Sequence, residues 1–376
     1  MCTEVIDVVK FIKPNWSKSN LNISATLAEF LNAPNNNETL PLLKEELSKG
    51  YKNVVFICFD GMGINPLKIN LDEDSFLRRN IKDILTSTFP STTTNATTSL
   101  TSNKYPLEHG WFGWSVHFDD INRNVDIYPR LDSLTGEKVD YKYPIYDNSI
   151  CYFDNVNSEY EINPIFPVYV KTGSEDKKIV VQTESDLFNS IRNVCSKEGK
   201  QFVYAYFPEP DSTMHDYGVS SKEAKDKIEL INKGMEELYN DLEDTLIIVT
   251  SDHGQVDVEG FIEFYKDVEL NEMLECTAYL DARSPAFKVK NGMEEAFERL
   301  FVERYSKDFI LFKSKELIEQ GYFGTRGNYG YLLGDYIAIG TYTHKLFLSH
   351  ENAKRFKGHH TSLTEEMEVP LIVLEK

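Results

Sequence analysis

Acidic and imidazole side chains occur in three short groups along this chain, at spacings that suit metal binding. Asp211 and His215 stand four residues apart, so a helix would place both on one face, within reach of one cation. Asp252 and His253 are adjacent, and the glycine after them permits a sharp turn. Asp60 forms the third group and lies in a turn that also contains glycines. Carboxylate oxygen and imidazole nitrogen are typical donors to zinc and manganese, although each group taken singly is more simply a solvated or helix-capping residue.

A hydroxyl-rich segment supplies the candidate nucleophile. Residues 89–100 read FPSTTTNATTSL and predict a helix that begins among the threonines and runs to about Ser102. Backbone N–H groups at a helix N-terminus favour an anion such as phosphate, and a threonine hydroxyl placed there could attack it. Any one of these threonines could equally serve as an ordinary N-cap.

The three acidic groups each follow an apolar run that is typical of a buried strand. These runs are residues 53–59, 202–207 and 245–250, and a fourth covers 369–374. A segment with helical spacing, 222–242, lies between two of them. This alternation predicts an α/β fold, doubly wound around a mainly parallel central sheet. Because ligands of such sheets bind beyond the carboxyl ends of the strands, the three groups are expected to meet there.

Two stretches interrupt the alternation and predict a smaller inserted α+β cap over the sheet. They are residues 118–178, rich in Asp, Asn, Tyr and Pro, and residues 279–343, which read as strand, helix, strand, short helix and strand. The catalytic core would then consist of 1–117, 179–278 and 344–376.

Composition limits the partners. The 376 residues include 60 Asp and Glu against 40 Lys and Arg, a formal charge of −20, which argues against binding a nucleic-acid backbone. No apolar stretch is long enough to span a membrane and the N-terminus does not resemble a secretory signal. The five cysteines are widely spaced, without a CxxC pair, which predicts reduced thiols and a cytoplasmic protein. The sequence leaves the oligomeric state open.

Together these motifs resemble the alkaline phosphatase superfamily, and most closely its branch of type I phosphodiesterases and nucleotide pyrophosphatases. The matching pieces, in the order of that family, are FDGMG at 59–63, FPSTTTNATTSL at 89–100, EPDSTMHDYG at 209–218, SDHG at 251–254 and HHTSLTEEMEVPLIV at 359–373. They span the core, whereas the cap stretches carry little of the resemblance.

The resemblance implies two divalent metal ions, zinc or alternatively manganese, and a threonine nucleophile. One metal would be held by Asp211, His215 and His360, and the other by Asp60, Asp252 and His253. Alignment to the family's pattern places the nucleophile at Thr93, with Thr92 as the alternative. It likewise favours His360 over its neighbour His359.

The implied reaction is hydrolysis of a phosphodiester or pyrophosphate bond in a small phosphate ester, such as a nucleotide, through a covalent phospho-threonine. Where the family commonly has an asparagine that binds a phosphoryl oxygen, this chain has Trp114, a candidate substrate contact. Between Thr93 and Trp114 only Lys104 supplies a cation, which favours diesters over the more highly charged monoesters. A phosphomonoesterase, a phosphoglycerate-mutase-like phosphotransferase and a metal-stabilised binding protein without catalysis are the alternatives.

Overall fold

The computed structural model describes residues 10–143, 145, 150–154, 156–170 and 175–376. The α-helices of the described residues are α1 Asn20–Phe30, α2 Pro41–Leu47, α3 Ile64–Asn70, α4 Phe76–Arg79, α5 Thr93–Ser102, α6 Pro106–His109, α7 Glu184–Cys195, α8 Asp211–Tyr217, α9 Lys222–Asp241, α10 Val268–Glu272, α11 Glu294–Tyr305 and α12 Ser314–Glu319. The strands are β1 Asn53–Phe59, β2 Ile81–Thr86, β3 Ser115–Phe118, β4 Arg123–Asp126, β5 Leu131–Asp132, β6 Glu161–Phe166, β7 Ile179–Val180, β8 Gln201–Phe207, β9 Thr245–Thr250, β10 Val256–Asp257, β11 Gly260–Ile262, β12 Tyr279–Asp281, β13 Ser284–Phe287, β14 Phe309–Lys313, β15 Tyr336–Gly340, β16 Lys345–Phe347, β17 Gly358–His359 and β18 Glu368–Glu375.

The central sheet has seven strands in the order β2-β18-β9-β1-β8-β6-β7. Five neighbouring strands from β9 to β7 run parallel, and β18 is antiparallel to both β9 and β2. Strands β1, β8 and β9 are buried along their whole length, because helices cover both faces. The predicted α/β class with a mainly parallel sheet is therefore confirmed, and the antiparallel C-terminal strand makes the sheet mixed.

Alternate side chains of β1 divide the core into two layers. Val55, Ile57 and Phe59 pack with apolar residues of α3, α4, α7 and α9. Val54 and Phe56 point to the opposite face, where α1, α2 and α5 cover the sheet. This period of two explains why an unbroken apolar run forms a strand with both faces buried. No described helix is both long enough and apolar enough to cross a bilayer.

A second seven-stranded sheet, β14-β15-β13-β12-β3-β4-β5, is assembled from two distant parts of the chain. Strands β12 to β15 come from the second predicted cap stretch and β4 and β5 from the first, whereas β3 begins three residues before the first stretch, in the predicted core. All the pairings described in this sheet are antiparallel, and Leu280 of β12 pairs with Ser115 of β3 where the two parts meet. We call this the cap sheet.

The predicted cap boundary at 118–178 is wrong for its second half. Strand β6, Glu161–Phe166, pairs in parallel with β8 and so belongs to the central sheet. Its sequence EINPIF is interrupted by Asn163 and Pro164 and therefore lacks the apolar run of an inner strand. The structure accommodates the buried Asn163 because its amide donates to Gln201 Oε1 at 3.1 Å. The remaining boundaries stay predictions.

A buried ion pair joins the cap sheet to the loops that enter the central sheet. Arg283 Nε donates to Glu366 Oε1 at 3.0 Å, and both side chains are fully buried. The same Glu366 oxygen accepts the Ser362 N–H at 3.1 Å, and the Glu366 carbonyl accepts the Gly254 N–H at 2.7 Å. Arg283 also donates to Thr364 at 3.1 Å. One pair therefore fixes the segments that carry His253 and His360.

We expect Arg283→Met to lower the melting temperature by several degrees. Removing one partner of a buried pair leaves the other charge uncompensated, which typically costs about 3–5 kcal/mol. The control is Lys222→Met, because the Lys222 side chain is 79% exposed and its pairing with Asp226 should contribute little. Equal melting temperatures for the two variants would show that the buried pair does not stabilise the fold.

Candidate active site

Strand order brings the predicted acidic residues to one edge of the central sheet. Asp60 directly follows β1, Asp211 begins α8 just beyond β8, and Asp252 lies two residues after β9. Because β9, β1 and β8 are adjacent and parallel, their carboxyl ends lie side by side. The four-residue spacing of Asp211 and His215 is indeed helical, and their side chains approach to 3.4 Å.

Thr93 is the first residue of α5, and its hydroxyl points into the acidic cluster. Thr93 Oγ1 lies 3.3 Å from both carboxylate oxygens of Asp60 and 3.2 Å from His253 Nε2. The neighbouring Thr92 is the extended N-cap residue, and its hydroxyl lies 3.4 Å from Asp281 Oδ2 instead. Of the two candidate nucleophiles, the structure thus places Thr93 among the predicted ligands.

The loop after β9 forms one of two groups with metal-binding geometry. Nε2 of His253 lies 3.3 Å from Asp60 Oδ1 and 3.5 Å from Asp252 Oδ2. Asp252 Oδ1 accepts the Gly61 and His253 N–H groups at 3.1 and 2.9 Å, whereas the buried Oδ2 has no hydrogen-bond partner in the described structure. An orphaned buried carboxylate oxygen that faces an imidazole is suited to a cation.

The second group centres on Asp211. Its carboxylate lies 3.9 Å from His360 Nε2, and donor atoms of Asp211, His253 and His360 all lie within 4.8 Å of one another. His215 Nε2 lies 3.4 Å from the Asp211 carboxylate, and the His215 ring lies 5.1 Å from that of His360. The ring of His359 lies 5.2 Å from that of His215, but its Nε2 lies 3.6 Å from Asp281 instead. The structure thus places His360, rather than His359, with the other predicted ligands.

The imidazoles are oriented by backbone carbonyls. Nδ1 contacts a carbonyl oxygen in three of them: His215 with Gly358 at 2.8 Å, His253 with Gly254 at 2.9 Å and His360 with Ser91 at 3.0 Å. A proton on Nδ1 that donates to these carbonyls leaves the Nε2 lone pair directed at the carboxylates. This is the usual arrangement of metal-ligating histidines.

The electrostatics of the cluster also favour bound cations. Burial, followed by repulsion from Asp252 and Asp211, raises the pKa of Asp60 well above its usual range. Burial raises the pKa of Asp252 as well, and burial together with His253 lowers the pKa of His360 well below its usual range. Among the described residues, no lysine or arginine forms an ion pair with these three carboxylates. Two divalent cations would supply the missing positive charge, so the residues present fit such ions.

The structure adds three polar residues that sequence reasoning missed. The Tyr206 hydroxyl donates to Asp60 Oδ2, and the Gln255 amide donates to Asp211 Oδ1. Asp281 of β12 is buried next to Thr92 and His359, and burial raises its pKa to about 7. Gln255 directly follows the SDHG motif, so its position in the sequence could have indicated a contact with the site. Tyr206 lies inside an apolar run, and Asp281 lies in the cap sheet, where no pattern marked it.

A cleft of about 770 Å³ separates this cluster from the cap sheet. Thr93, Asp211, His215 and His360 line its floor, and β3, β4 and β12 contribute to its wall. Trp114 lines the same cleft and is 46% exposed. Trp111, by contrast, is buried in the core and donates to the Ile145 carbonyl at 3.1 Å. Only the first of these two indoles is available to a substrate.

Solved structures share the fold across most of the chain. Murine ectonucleotide pyrophosphatase/phosphodiesterase 5 gives a TM-score of 0.61 at 16% identity, over 86% of this chain and 88% of that chain. An inactive threonine-to-alanine form of that murine protein, in complex with AMP, gives 0.59 at 18% identity, over 86% and 87%. Phosphonoacetate hydrolase from Sinorhizobium meliloti 1021, in complex with phosphonoformate, gives 0.60 at 14% identity, over 85% and 89%. The fold is that of the alkaline phosphatase superfamily, as the sequence motifs predicted.

Sequence comparison narrows this class to one family. The family model for type I phosphodiesterase / nucleotide pyrophosphatase matches residues 54–308, and the chain belongs to this family. Ectonucleotide pyrophosphatase/phosphodiesterase family member 7 is 36% identical over 88 residues in Rattus norvegicus and 38% over 80 residues in Mus musculus. These alignments cover 20% and 18% of the relatives' lengths, and 21% and 19% of this chain.

Proposed function

We propose that this protein hydrolyses phosphodiester or pyrophosphate bonds of nucleotides, through a covalent intermediate on Thr93. The observation that carries the proposal is the position of the Thr93 hydroxyl. It lies at the N-terminus of α5, 3.3 Å from Asp60 and 3.2 Å from His253, on the floor of an open cleft. A hydroxyl at a helix N-terminus is well placed to meet a phosphoryl group, because the backbone N–H groups there attract anions.

The reaction proceeds in two displacements. In the first, Thr93 Oγ1 forms a bond to phosphorus while the bond to the leaving oxygen breaks, and an alcohol or a phosphate departs. His253 Nε2, 3.2 Å away, and the Asp60 carboxylate oxygens, 3.3 Å away, are the acceptors within reach of the hydroxyl proton. In the second, water attacks phosphorus, the bond to Oγ1 breaks and the threonine hydroxyl is restored.

Two groups of residues would hold the divalent cations of this family. The first is Asp211, His215 and His360, and the second is Asp60, Asp252 and His253. When bound, such ions favour the ionised form of a hydroxyl and offset the charge of the phosphoryl oxygens. Zinc is the ion we propose, with manganese as the alternative, because the donors are imidazole nitrogens and carboxylate oxygens. The protein fixes these donors through the backbone carbonyls and through Tyr206 and Gln255.

A nucleotide suits the cleft. The structure of the murine relative with AMP supports this substrate class. In this chain, the half-exposed Trp114 lines the cleft and offers a flat apolar surface to a substrate. Aromatic faces of this kind stack on nucleobases, so we assign Trp114 to substrate contact.

The test compares two chromogenic esters on zinc-loaded protein. We expect kcat/KM to be at least about tenfold higher for the p-nitrophenyl ester of thymidine 5′-monophosphate, a diester, than for p-nitrophenyl phosphate, a monoester. The reason is charge: a monoester carries an additional negative charge, and no described lysine or arginine contacts the Thr93 hydroxyl to offset it. Preference for the monoester would overturn the phosphodiesterase proposal and favour a phosphomonoesterase.

A further inference from the structure

We propose that Arg355 forms an anion subsite for the leaving group, which selects substrates whose leaving group carries phosphate. This inference rests on the proposed function and deepens it, because it favours pyrophosphate-bond hydrolysis over cleavage of diesters with uncharged leaving groups. The residue closes a short 3-10 helix, Glu351–Arg355, and lines the cleft.

A continuous row of side-chain contacts leads from the nucleophile to this arginine. Thr93 contacts His253, whose ring centroid lies 3.9 Å from that of His360. The His360 ring centroid in turn lies 5.1 Å from that of His215.

The row continues beyond the predicted ligands. The His215 ring centroid lies 4.9 Å from that of Phe356, and the Arg355 guanidinium lies over the Phe356 ring, 5.0 Å from its centroid. The contact with the ring orients the guanidinium. Arg355 therefore stands at one end of the row and Thr93 at the other.

The stereochemistry of phosphoryl transfer relates the position of Arg355 to that of the leaving group. The attacking and leaving oxygens lie roughly in line, on opposite sides of phosphorus. With Thr93 attacking from the side of Asp60 and His253, the leaving group departs away from them, into the cleft whose lining includes His215 and Arg355. A guanidinium there can bind the phosphate oxygens of a pyrophosphate leaving group with paired hydrogen bonds.

The charges around the cleft support this role. Among the described residues that line it, Arg355 is the one lysine or arginine, whereas Asp126, Asp211 and Asp281 also line it. Arg355 is exposed and forms no ion pair with any carboxylate in the described structure. The adjacent Lys354 does not line the cleft, and it forms an ion pair with Glu263 at 2.5 Å. The chain thus offers a matched control next to the candidate.

The first experiment uses two substrates that share a nucleoside and an attacked phosphorus. These are thymidine 5′-triphosphate, which releases pyrophosphate, and the p-nitrophenyl ester of thymidine 5′-monophosphate, which releases nitrophenolate. We expect Arg355→Met to lower the ratio of the two kcat/KM values, triphosphate over ester, by about tenfold or more, since one charge-assisted contact is lost. Arg355→Lys should retain part of the ratio, and Lys354→Met should keep the wild-type ratio.

The second experiment measures binding without turnover. In the Thr93→Ala background, zinc-loaded protein is titrated with thymidine 5′-triphosphate by calorimetry, with and without Arg355→Met. The added substitution should weaken binding about tenfold, whereas added Lys354→Met should not. This readout survives failure of the proposed function, because it requires only that the nucleotide binds.

The outcomes separate the two proposals. An unchanged substrate ratio and unchanged triphosphate affinity in Arg355→Met would overturn the subsite while leaving the phosphodiesterase intact. Equal effects of Arg355→Met and Lys354→Met would also overturn it, because they would reflect only the net charge of the segment. Wild-type protein that turns over neither substrate would instead overturn the proposed function, and the calorimetric comparison would then decide the subsite alone.

Discussion

Thr93→Ala is expected to lower kcat/KM for the thymidine monophosphate ester by about a thousandfold or more, because it removes the atom that forms the covalent intermediate. The hydroxyl is the part of the side chain that reaches Asp60 and His253. The rest of the helix start should be unaffected, since the N-cap residue is Thr92 and its backbone carbonyl accepts the Ala96 N–H at 2.9 Å. The measurement is steady-state turnover, with melting temperature and zinc content recorded for each preparation.

The matched control is Thr92→Ala. This variant removes an adjacent hydroxyl that faces Asp281 and not the metal-binding groups. We expect it to cost far less activity than Thr93→Ala. If instead Thr92→Ala is the inactive variant, the nucleophile has been assigned one residue too late. If the wild type binds zinc but turns over no substrate, and neither variant differs from it, the chain is a metal-stabilised binding protein.

Removal of the metal ions is expected to have the second large effect, on both activity and stability. The cluster buries Asp60, Asp211 and Asp252 without a lysine or arginine partner in the described structure. A ligand that binds only the folded state stabilises it by about 4 kcal/mol at a thousandfold excess over its Kd. Chelation should therefore abolish turnover and lower the melting temperature, and added zinc should restore both.

Two substitutions make this test specific. Asp252→Asn should reduce the zinc content measured after dialysis, because the orphaned Asp252 Oδ2 would lose its charge. Asp226→Asn is the control, since Asp226 is an exposed carboxylate on α9. Full turnover in chelated, metal-free protein would show that the proposed metal dependence is wrong for this chain.

Much of the candidate site was predictable because strand ends mark it. Asp60, Asp211 and Asp252 each follow a long apolar run, and parallel strands bring such positions together whatever the rest of the chain does. The residues alone do not show which of His359 and His360 is the candidate metal ligand. Both rings are buried, and only the backbone path decides which Nε2 faces Asp211 and which faces Asp281.

The parts of the fold that escaped prediction depend on contacts between distant segments. Strand β6 carries Asn163 and Pro164, so its place in the central sheet is decided by pairing with β8 rather than by its own apolar pattern. The direction of β18 is likewise not encoded in its apolar run, because a strand with both faces buried reads the same in either direction. Arg355 lies outside every sequence motif, and its place in the cleft depends on the path of the loop before β17.

The split origin of the cap sheet has a consequence for how the protein is made. During synthesis, β3 to β5 leave the ribosome long before β12, whose Leu280 pairs with Ser115 in the finished sheet. Until then, β3 presents an open edge, and its apolar residues Val116 and Phe118 lack part of their native cover. Open apolar edges pair readily with other chains. The nascent protein therefore passes through a stage at which its cap is half built and prone to aggregation, and a chain that stops before β12 never leaves it.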